Sequence, residues 1–151
     1  MAVLAGWGGV WALAPGILSE VAGSVRNVSR LLVFRLGASA QLPPESPVPL
    51  RPLDPPATTG TPEQIAGGAG QYARFCGGCH GDAAYGGTVL PDLRRSALIA
   101  DGKAWASVVH DGALRDRGMV SFANVLNPQQ IEAIRHYVIK RANEDKALGD
   151  K

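Results

Sequence analysis

Both cysteines of this 151-residue chain stand in one short run, FCGGCHGD, at positions 75–82. Cys76 and Cys79 enclose two glycines, and His80 follows at once. Two thiols at this spacing can add to the two vinyl groups of one flat porphyrin. The next residue then lies beneath the iron, where an imidazole nitrogen can bind it. Gly77 and Gly78 put no side chain in the way of the tight loop or of the ring. The pattern is that of covalent haem c attachment.

Other chemistries of the same residues fit less well. A redox-active dithiol also separates its cysteines by two residues, but it belongs to a βαβ surround that this chain lacks. Structural zinc would need two further Cys or His ligands at a second short spacing. The remaining histidines, His110 and His136, stand far apart. A plain disulfide would leave the adjacent His80 as coincidence.

An iron held on one side by His80 needs a partner on the other. Met119, His110 and His136 are the candidates. Met119 is the only methionine besides the first residue, and it lies in the loop GMVSF at 118–122, between two expected helices. A methionine often serves only as core filler, but on a loop its thioether can reach over a buried ring. His110 closes the middle helix, where a cation is favoured, and His136 sits beside Arg135 on the last helix as a solvated or capping side chain. Met119 is therefore the preferred second ligand. With both axial positions filled, the iron has no open site, and thioether ligation raises its potential. Such a centre accepts and passes single electrons. Leu93, Trp105 and Phe122 are candidates for the wall that keeps water off the ring.

Three helices must position these groups. Thr61-Pro62-Glu63-Gln64 has the form of a helix start, with Thr as cap, Pro in the first turn and Gln three residues on. Ile65, Ala69, Tyr72 and Phe75 then recur at helical spacing into Cys76. Gly67, Gly68 and Gly70 weaken this helix by about 1 kcal/mol each relative to Ala, which points to a second helix crossing closely. Residues 101–111 read as a short middle helix with Trp105, Val108 and Val109 inward. Asn127-Pro128-Gln129-Gln130 opens the last helix, with Leu126 and Ile131 as a hydrophobic staple. Its apolar face is Ile131, Ile134, Tyr137 and Val138, and the charged residues after Arg141 read as a soluble tail. The domain has about ninety residues, few of them large and apolar. Domains this small often depend on a cofactor to complete their core.

The rest of the chain differs in character. Eight of its eleven prolines fall in the stretch 43–62. That stretch reads as an extended, semi-rigid linker, because proline fixes φ and donates no backbone hydrogen bond. The first fourteen residues are apolar and uncharged, but the first basic residue is Arg26, so the n-region of a secretory signal is missing. Glycines and Pro15 interrupt any run approaching the ~20 residues that cross a bilayer. Residues 10–13 and 31–36 (LLVFRL) read as two short strands, too few for a sheet stable on its own. Net charge is +2 with both signs interspersed, which gives nucleic acid no footprint.

Four stretches together carry a resemblance: CGGCHGD, GGTVLPDLRRS, WASVVHDGALRDRGMVSF and IEAIRHYVIKRAN. They resemble class I cytochrome c, and more closely the C-terminal cytochrome domain of quinohaemoprotein alcohol dehydrogenases. GWGGVWAL and NVSRLLVFRLG are similar to the end of the eight-bladed propeller of those enzymes, and the proline-rich stretch to their inter-domain linker. The resemblance implies a mainly α fold: a class I cytochrome c domain at 62–151, a linker at 42–61 and a remnant of the last propeller blade at 1–41. It implies Cys76 and Cys79 as thioether attachments, His80 and Met119 as axial ligands, and the Pro91 carbonyl as partner of the other His80 nitrogen. Haem c is then the cofactor here, while pyrroloquinoline quinone (PQQ) and calcium belong to a propeller that this chain lacks. The chain reads as the C-terminal piece of such an enzyme, inactive towards alcohol alone. Its expected partners are the PQQ propeller and an external acceptor in the periplasm, such as a small redox protein or a quinone. A freestanding monohaem shuttle is the alternative, against which the strands and linker speak.

Overall fold

The computed structural model describes residues 1–5, 30–42, 51–86 and 90–149. Strands β1 (Ala2–Ala5) and β2 (Arg30–Val33) are followed by helices α1 (Pro62–Phe75), α2 (Gly77–His80), α3 (Gly102–Val109) and α4 (Pro128–Ala147). Four short 3-10 turns connect them, the ones used below being Leu93–Arg95 and Arg115–Arg117. The chain is mainly helical, as expected.

α1 and α4 begin where the caps place them. Thr61 and Asn127 each accept from the amide three residues on, and Gln64 and Gln130 reach back to the capping amides. Each box satisfies two amides that a helix start would otherwise leave unpaired. Leu126 and Ile131, the expected staple, are both buried. On α4, Ile131, Ile134, Val138 and Ala142 recur at helical spacing and enter one core with Tyr72, Ile99, Trp105, Val109 and Leu126. Each large aliphatic side chain so buried contributes about 1.5–3 kcal/mol.

The two long helices meet at Gly68. A Cβ there would lie 2.0 Å from the carbonyl oxygen of Ala133, so only a residue without one permits this approach. Gly67 and Gly70 are not in the crossing, since a Cβ on either would meet nothing. Tyr72 and Tyr137 then stack obliquely across the same pair of helices, with ring centroids 5.2 Å apart. α3 is tied to α4 by the Trp105 indole, which donates to the Ile131 carbonyl at 3.1 Å.

Two expectations about α4 change. The residues after Arg141 are no free tail: the helix runs on to Ala147, Ala142 is wholly buried, and Asp145 pairs with Arg94 and Arg141. His136 is not solvated but 8% exposed. It is covered by Gly60, whose Cβ would lie 2.7 Å from the His136 ring. Thr59 Oγ1 stands 3.4 Å from its Nδ1, and Glu132 flanks its Nε2.

Those contacts come from the proline-rich stretch. Its residues 51–60 lie along the helical domain, with Leu53 only 5% exposed. Proline carbonyls still accept, and the domain supplies donors. Asn143 donates to the Pro56 carbonyl at 2.8 Å and Arg95 to the Arg51 carbonyl at 2.6 Å, while Lys146 faces Asp54. This half of the stretch is a strap rather than a free spacer.

β1 and β2 pair antiparallel, Ala2 opposite Val33 and Ala5 opposite Arg30. The pair is closed by bonds between Met1 and Phe34 in both directions. The second strand starts one residue earlier than expected and stops short of residue 36. The first lies at Ala2–Ala5, whereas the expected strand at 10–13 lies outside the described residues. Val3, Leu4, Leu31 and Val33 are exposed. Among the described residues no helix is long and apolar enough to cross a membrane.

Candidate haem site

α1 ends and α2 begins on one residue, Cys76, which caps both helices. The single turn of α2 then folds back on it: the amides of Cys79 and His80 donate to the Cys76 carbonyl at 3.1 and 2.8 Å. This turn sets both thiols and the imidazole on one short helix and its cap. Tyr72, one turn earlier on α1, fixes its far end, because its buried hydroxyl donates to the Gly81 carbonyl at 2.7 Å. Burial pushes the Tyr72 phenol above its ordinary pKa, with the neighbouring Cys76 and Tyr137 adding to the effect.

The two cysteines are free thiols in unlike settings. Cys76 is buried and Cys79 exposed. Burial, with the nearby Cys79, raises the Cys76 pKa to about 12. A Cβ at Gly78 would meet no protein atom, so packing within the protein does not require that glycine.

His80 is 7% exposed, and its Nδ1 lies 3.0 Å from the Pro91 carbonyl oxygen. A carbonyl can only accept, so this contact puts the proton on Nδ1 and leaves the lone pair on Nε2. An imidazole held in this way has the tautomer that metal-binding histidines use. The pairing implied for Pro91 is therefore present in the geometry.

Met119 sits on a loop. The turn Arg115–Arg117 leads into Gly118, whose φ of +93° is a left-handed conformation that suits glycine. The Met119 amide then donates to Leu114 at 3.2 Å, and the Phe122 amide to Val109 at 2.9 Å. Met119, Phe122, Phe75 and Leu93 are partly buried and pack against the common core without entering it. Phe75 meets Phe122 edge to face, with centroids 6.1 Å apart. Trp105 is deeper, committed to the α3–α4 contact.

Two thiols, an imidazole with a free Nε2 lone pair, a thioether and a rim of half-buried apolar side chains are the donor set and lining that a covalent haem needs. The residues fit the group. The other two candidate rings are engaged: His110 Nδ1 is 2.7 Å from Asp111 at the end of α3, and His136 is beneath the strap. Among the described residues no cluster of His, Cys, Asp or Glu is arranged to hold a bare metal ion.

Residues 63–138 match the family described as cytochrome C oxidase, cbb3-type, subunit III. The chain belongs to this cytochrome c family. Its relatives narrow the setting. The quinohemoprotein alcohol dehydrogenase ADH IIB of Pseudomonas putida is 42% identical over 146 residues, which is 96% of this chain and 21% of that protein. The dehydrogenase subunit of the alcohol dehydrogenase (quinone) of Komagataeibacter europaeus is 41% identical, over 95% of this chain and 20% of its own length. The solved structure of quinohemoprotein alcohol dehydrogenase ADHIIG from P. putida superposes with a TM-score of 0.81 at 36% identity, covering 99% of this chain and 21% of that one. The cytochrome domain described here is homologous to the haem domain of these proteins, and its cofactor is haem c. The chain spans about a fifth of the length of the relatives it matches.

Sequence reasoning missed several residues of the site. Phe75 stands out in the sequence only by its helical spacing, which does not mark it as the partner of Phe122. The Tyr72 hydroxyl carries no mark of its acceptor nine residues away. Arg94 was seen only as part of a family-like run, yet it is 2% exposed and holds two carboxylates. One local signal was available: an Asp two residues before an Arg, directly after the proline that faces His80.

Proposed function

We propose that this chain is the electron-transfer haem domain of a PQQ-dependent alcohol dehydrogenase. In that role it passes single electrons from the quinol site of a propeller domain to an external acceptor in the periplasm. Cys76 and Cys79 would hold the haem by two thioether links, and His80 would bind its iron through Nε2 while Pro91 holds the proton on Nδ1. Met119, from its loop, would be the second protein ligand to the iron. Leu93, Trp105 and Phe122, with Phe75, keep water from the ring. When bound, haem c supplies a one-electron couple whose potential the thioether ligand raises. The division at 42 and 62 is kept, with residues 51–60 serving as a strap on the cytochrome domain.

The observation that carries this reading is the 3.0 Å contact of His80 Nδ1 with Pro91 inside a CGGCH turn. It is supported by identity near 40% to quinohemoprotein dehydrogenases along almost the whole chain. The quinohemoprotein relatives, of which this chain spans about a fifth, support a propeller as its partner, in cis or in trans. Alcohol oxidation is then a property of the partner, and this chain alone is not catalytic.

The test is export of the chain with haem-attachment machinery, followed by spectra of the oxidised and reduced forms with and without carbon monoxide. Covalent haem that ignores carbon monoxide is the expected result. Haem that binds it readily removes Met119 from the iron, and absence of covalent haem overturns the reading. Adding a separately produced PQQ propeller domain with alcohol should then reduce the loaded chain. A chain reduced equally well by unrelated donors, but not by the propeller, would instead be a freestanding shuttle.

A further inference from the structure

Arg94 is a buried cation that the electron-transfer chemistry has not so far used. Its Nε and Nη2 donate to the two carboxylate oxygens of Asp92 at 2.9 and 2.5 Å, and its own amide donates to the same carboxylate at 3.0 Å. Nη1 reaches across to Asp145 on α4 at 2.7 Å. Its guanidinium carbon lies 3.6 Å from the centroid of the Tyr85 ring. Arg95 Nε adds a further contact to Asp92 at 3.4 Å. Burial pulls the Arg94 pKa down, but the hydrogen bonds to Asp92 and Asp145 more than offset it, so the group stays charged.

These contacts converge on one peptide unit. Asp92 follows Pro91, so the carboxylate pinned by Arg94 belongs to the residue whose peptide bond carries the carbonyl facing His80. The other side of that unit is blocked by backbone. A Cβ at Gly86 would lie 2.5 Å from Pro91 C and O and from Asp92 N. Tyr85, the residue before Gly86, lies beneath the same guanidinium. One side chain thus gathers the segments on both sides of residues 87–89 and fastens them to the longest helix.

We propose that Arg94 is a positioning residue for His80: with Gly86 it clamps the Pro91 carbonyl against Nδ1 and thereby tunes the potential of the iron that His80 binds. The inference rests on the reading that His80 is an axial ligand. A firm bond from Nδ1–H to a carbonyl makes the imidazole a stronger donor and favours the oxidised iron. Loosening the clamp weakens that bond and raises the potential. The sign separates this role from two others. Removing a positive charge near the iron would favour the oxidised state and lower the potential. General loosening that frees Met119 would lower it too, because thioether ligation is what raises it.

Two variants act on the carbonyl by independent routes. Arg94→Lys keeps the charge but loses the planar fork that grips both oxygens of Asp92. Gly86→Ala changes no charge and pushes directly on the Pro91 carbonyl. Both are exported, loaded with haem and titrated potentiometrically beside the parent, with carbon monoxide reporting whether the sixth position stays closed. Exchange of the His80 Nδ1 proton with solvent is followed by NMR. The expected result in each is a closed site, faster Nδ1 proton exchange and a rise in potential of about 59 mV, a tenfold change in the reduced-to-oxidised ratio for one electron. An unchanged or lowered potential in Arg94→Lys overturns the proposal, as does failure of both variants to load while the parent loads, which would make Arg94 an element of folding only. A parent chain that takes up no haem instead sinks the functional reading itself.

Discussion

The two sides of the proposed iron site are built in opposite ways. On the His80 side the groups are tied by side-chain contacts drawn from several segments. The imidazole is buried against Pro91, the turn that carries it is tied by Tyr72, the Asp92 carboxylate next along the chain is gripped by Arg94, and the Pro91–Asp92 peptide is backed by Gly86. On the Met119 side, residues 115–118 and 123–125 are exposed, and the loop is held mainly by bonds near its ends, from Met119 to Leu114 and from Phe122 to Val109. The difference separates two tasks. On the proposed roles, a rigid imidazole would tune the potential through one fixed hydrogen bond, whereas a thioether would need only to be delivered within reach of the iron. Damage to the first side should therefore cost the fold as well as the ligand. Damage to the second should cost the ligand alone.

The largest break is expected at the crossing beneath the His80 side. Gly68→Ala would force a Cβ into the Ala133 carbonyl, and a backbone cannot step aside as a flexible side chain can. Separating α1 from α4 there should cost about 3 kcal/mol or more. Thermal unfolding checks it, and an unchanged melting temperature would mean that the helices do not cross as described. Tyr72→Phe comes next. It removes the donor to the buried Gly81 carbonyl, a loss of about 1–3 kcal/mol. It also changes the dependence on pH. With the folded phenol raised by burial, both states keep the proton below the ordinary value of 10.0 and the contribution is fully present. Above that value the unfolded chain gives up the proton while the native chain retains it, so stability falls as pH rises. In Tyr72→Phe the denaturation midpoint should decline less steeply above pH 10.0, and equal slopes would show that this phenol does not report on the fold.

How much of this contrast the sequence disclosed depends on how far apart the interacting residues are. The helix caps at Thr61 and Asn127, the staple of Leu126 with Ile131 and the cysteine–histidine turn are local patterns, complete within a few residues. All were readable. Of three glycines taken as evidence for a crossing, only Gly68 is in it, because nothing along α1 alone says which face meets Ala133. The clamp was illegible for the same reason: Arg94 and Asp145 are 51 residues apart, and a charged segment at a chain's end looks like a solvated tail until its partner is known. The strap was hidden by composition. Prolines announce an extended chain but not which side chains will donate to its carbonyls, as Asn143 does to Pro56.

The Met119 side supplies the smaller effects on stability and the sharper ones on ligand binding. Leucine nearly conserves the volume of methionine, so Met119→Leu should cost no more than about 1.5 kcal/mol in packing. The loaded chain should nevertheless bind carbon monoxide and show a lower potential. If it stays as inert to carbon monoxide as the parent, Met119 is not the ligand. The alternatives are then poor, since His110 is engaged with Asp111 and His136 is covered by Gly60.

Ser121→Ala tests the contrast most finely. Ser121 Oγ donates to the His110 carbonyl and accepts from the Ala123 amide at 3.2 Å, joining the end of α3 to the segment just beyond Met119. The bond is exposed, so its loss should change stability by only about 0.5–1 kcal/mol. If Met119 is the ligand, every brief release of the loop would free its place on the iron, so carbon monoxide should bind several-fold faster at equilibrium stability close to that of the parent. Exchange of the His80 Nδ1 proton should not change, because none of the groups that hold Pro91 touches Ser121. Unaltered binding kinetics would mean that Phe122 and Leu114 hold the loop without help. Faster Nδ1 exchange in the same variant would be the more consequential result. It would show that the loop and the clamp move together, and the division between a fixed side and a delivered side would then fail.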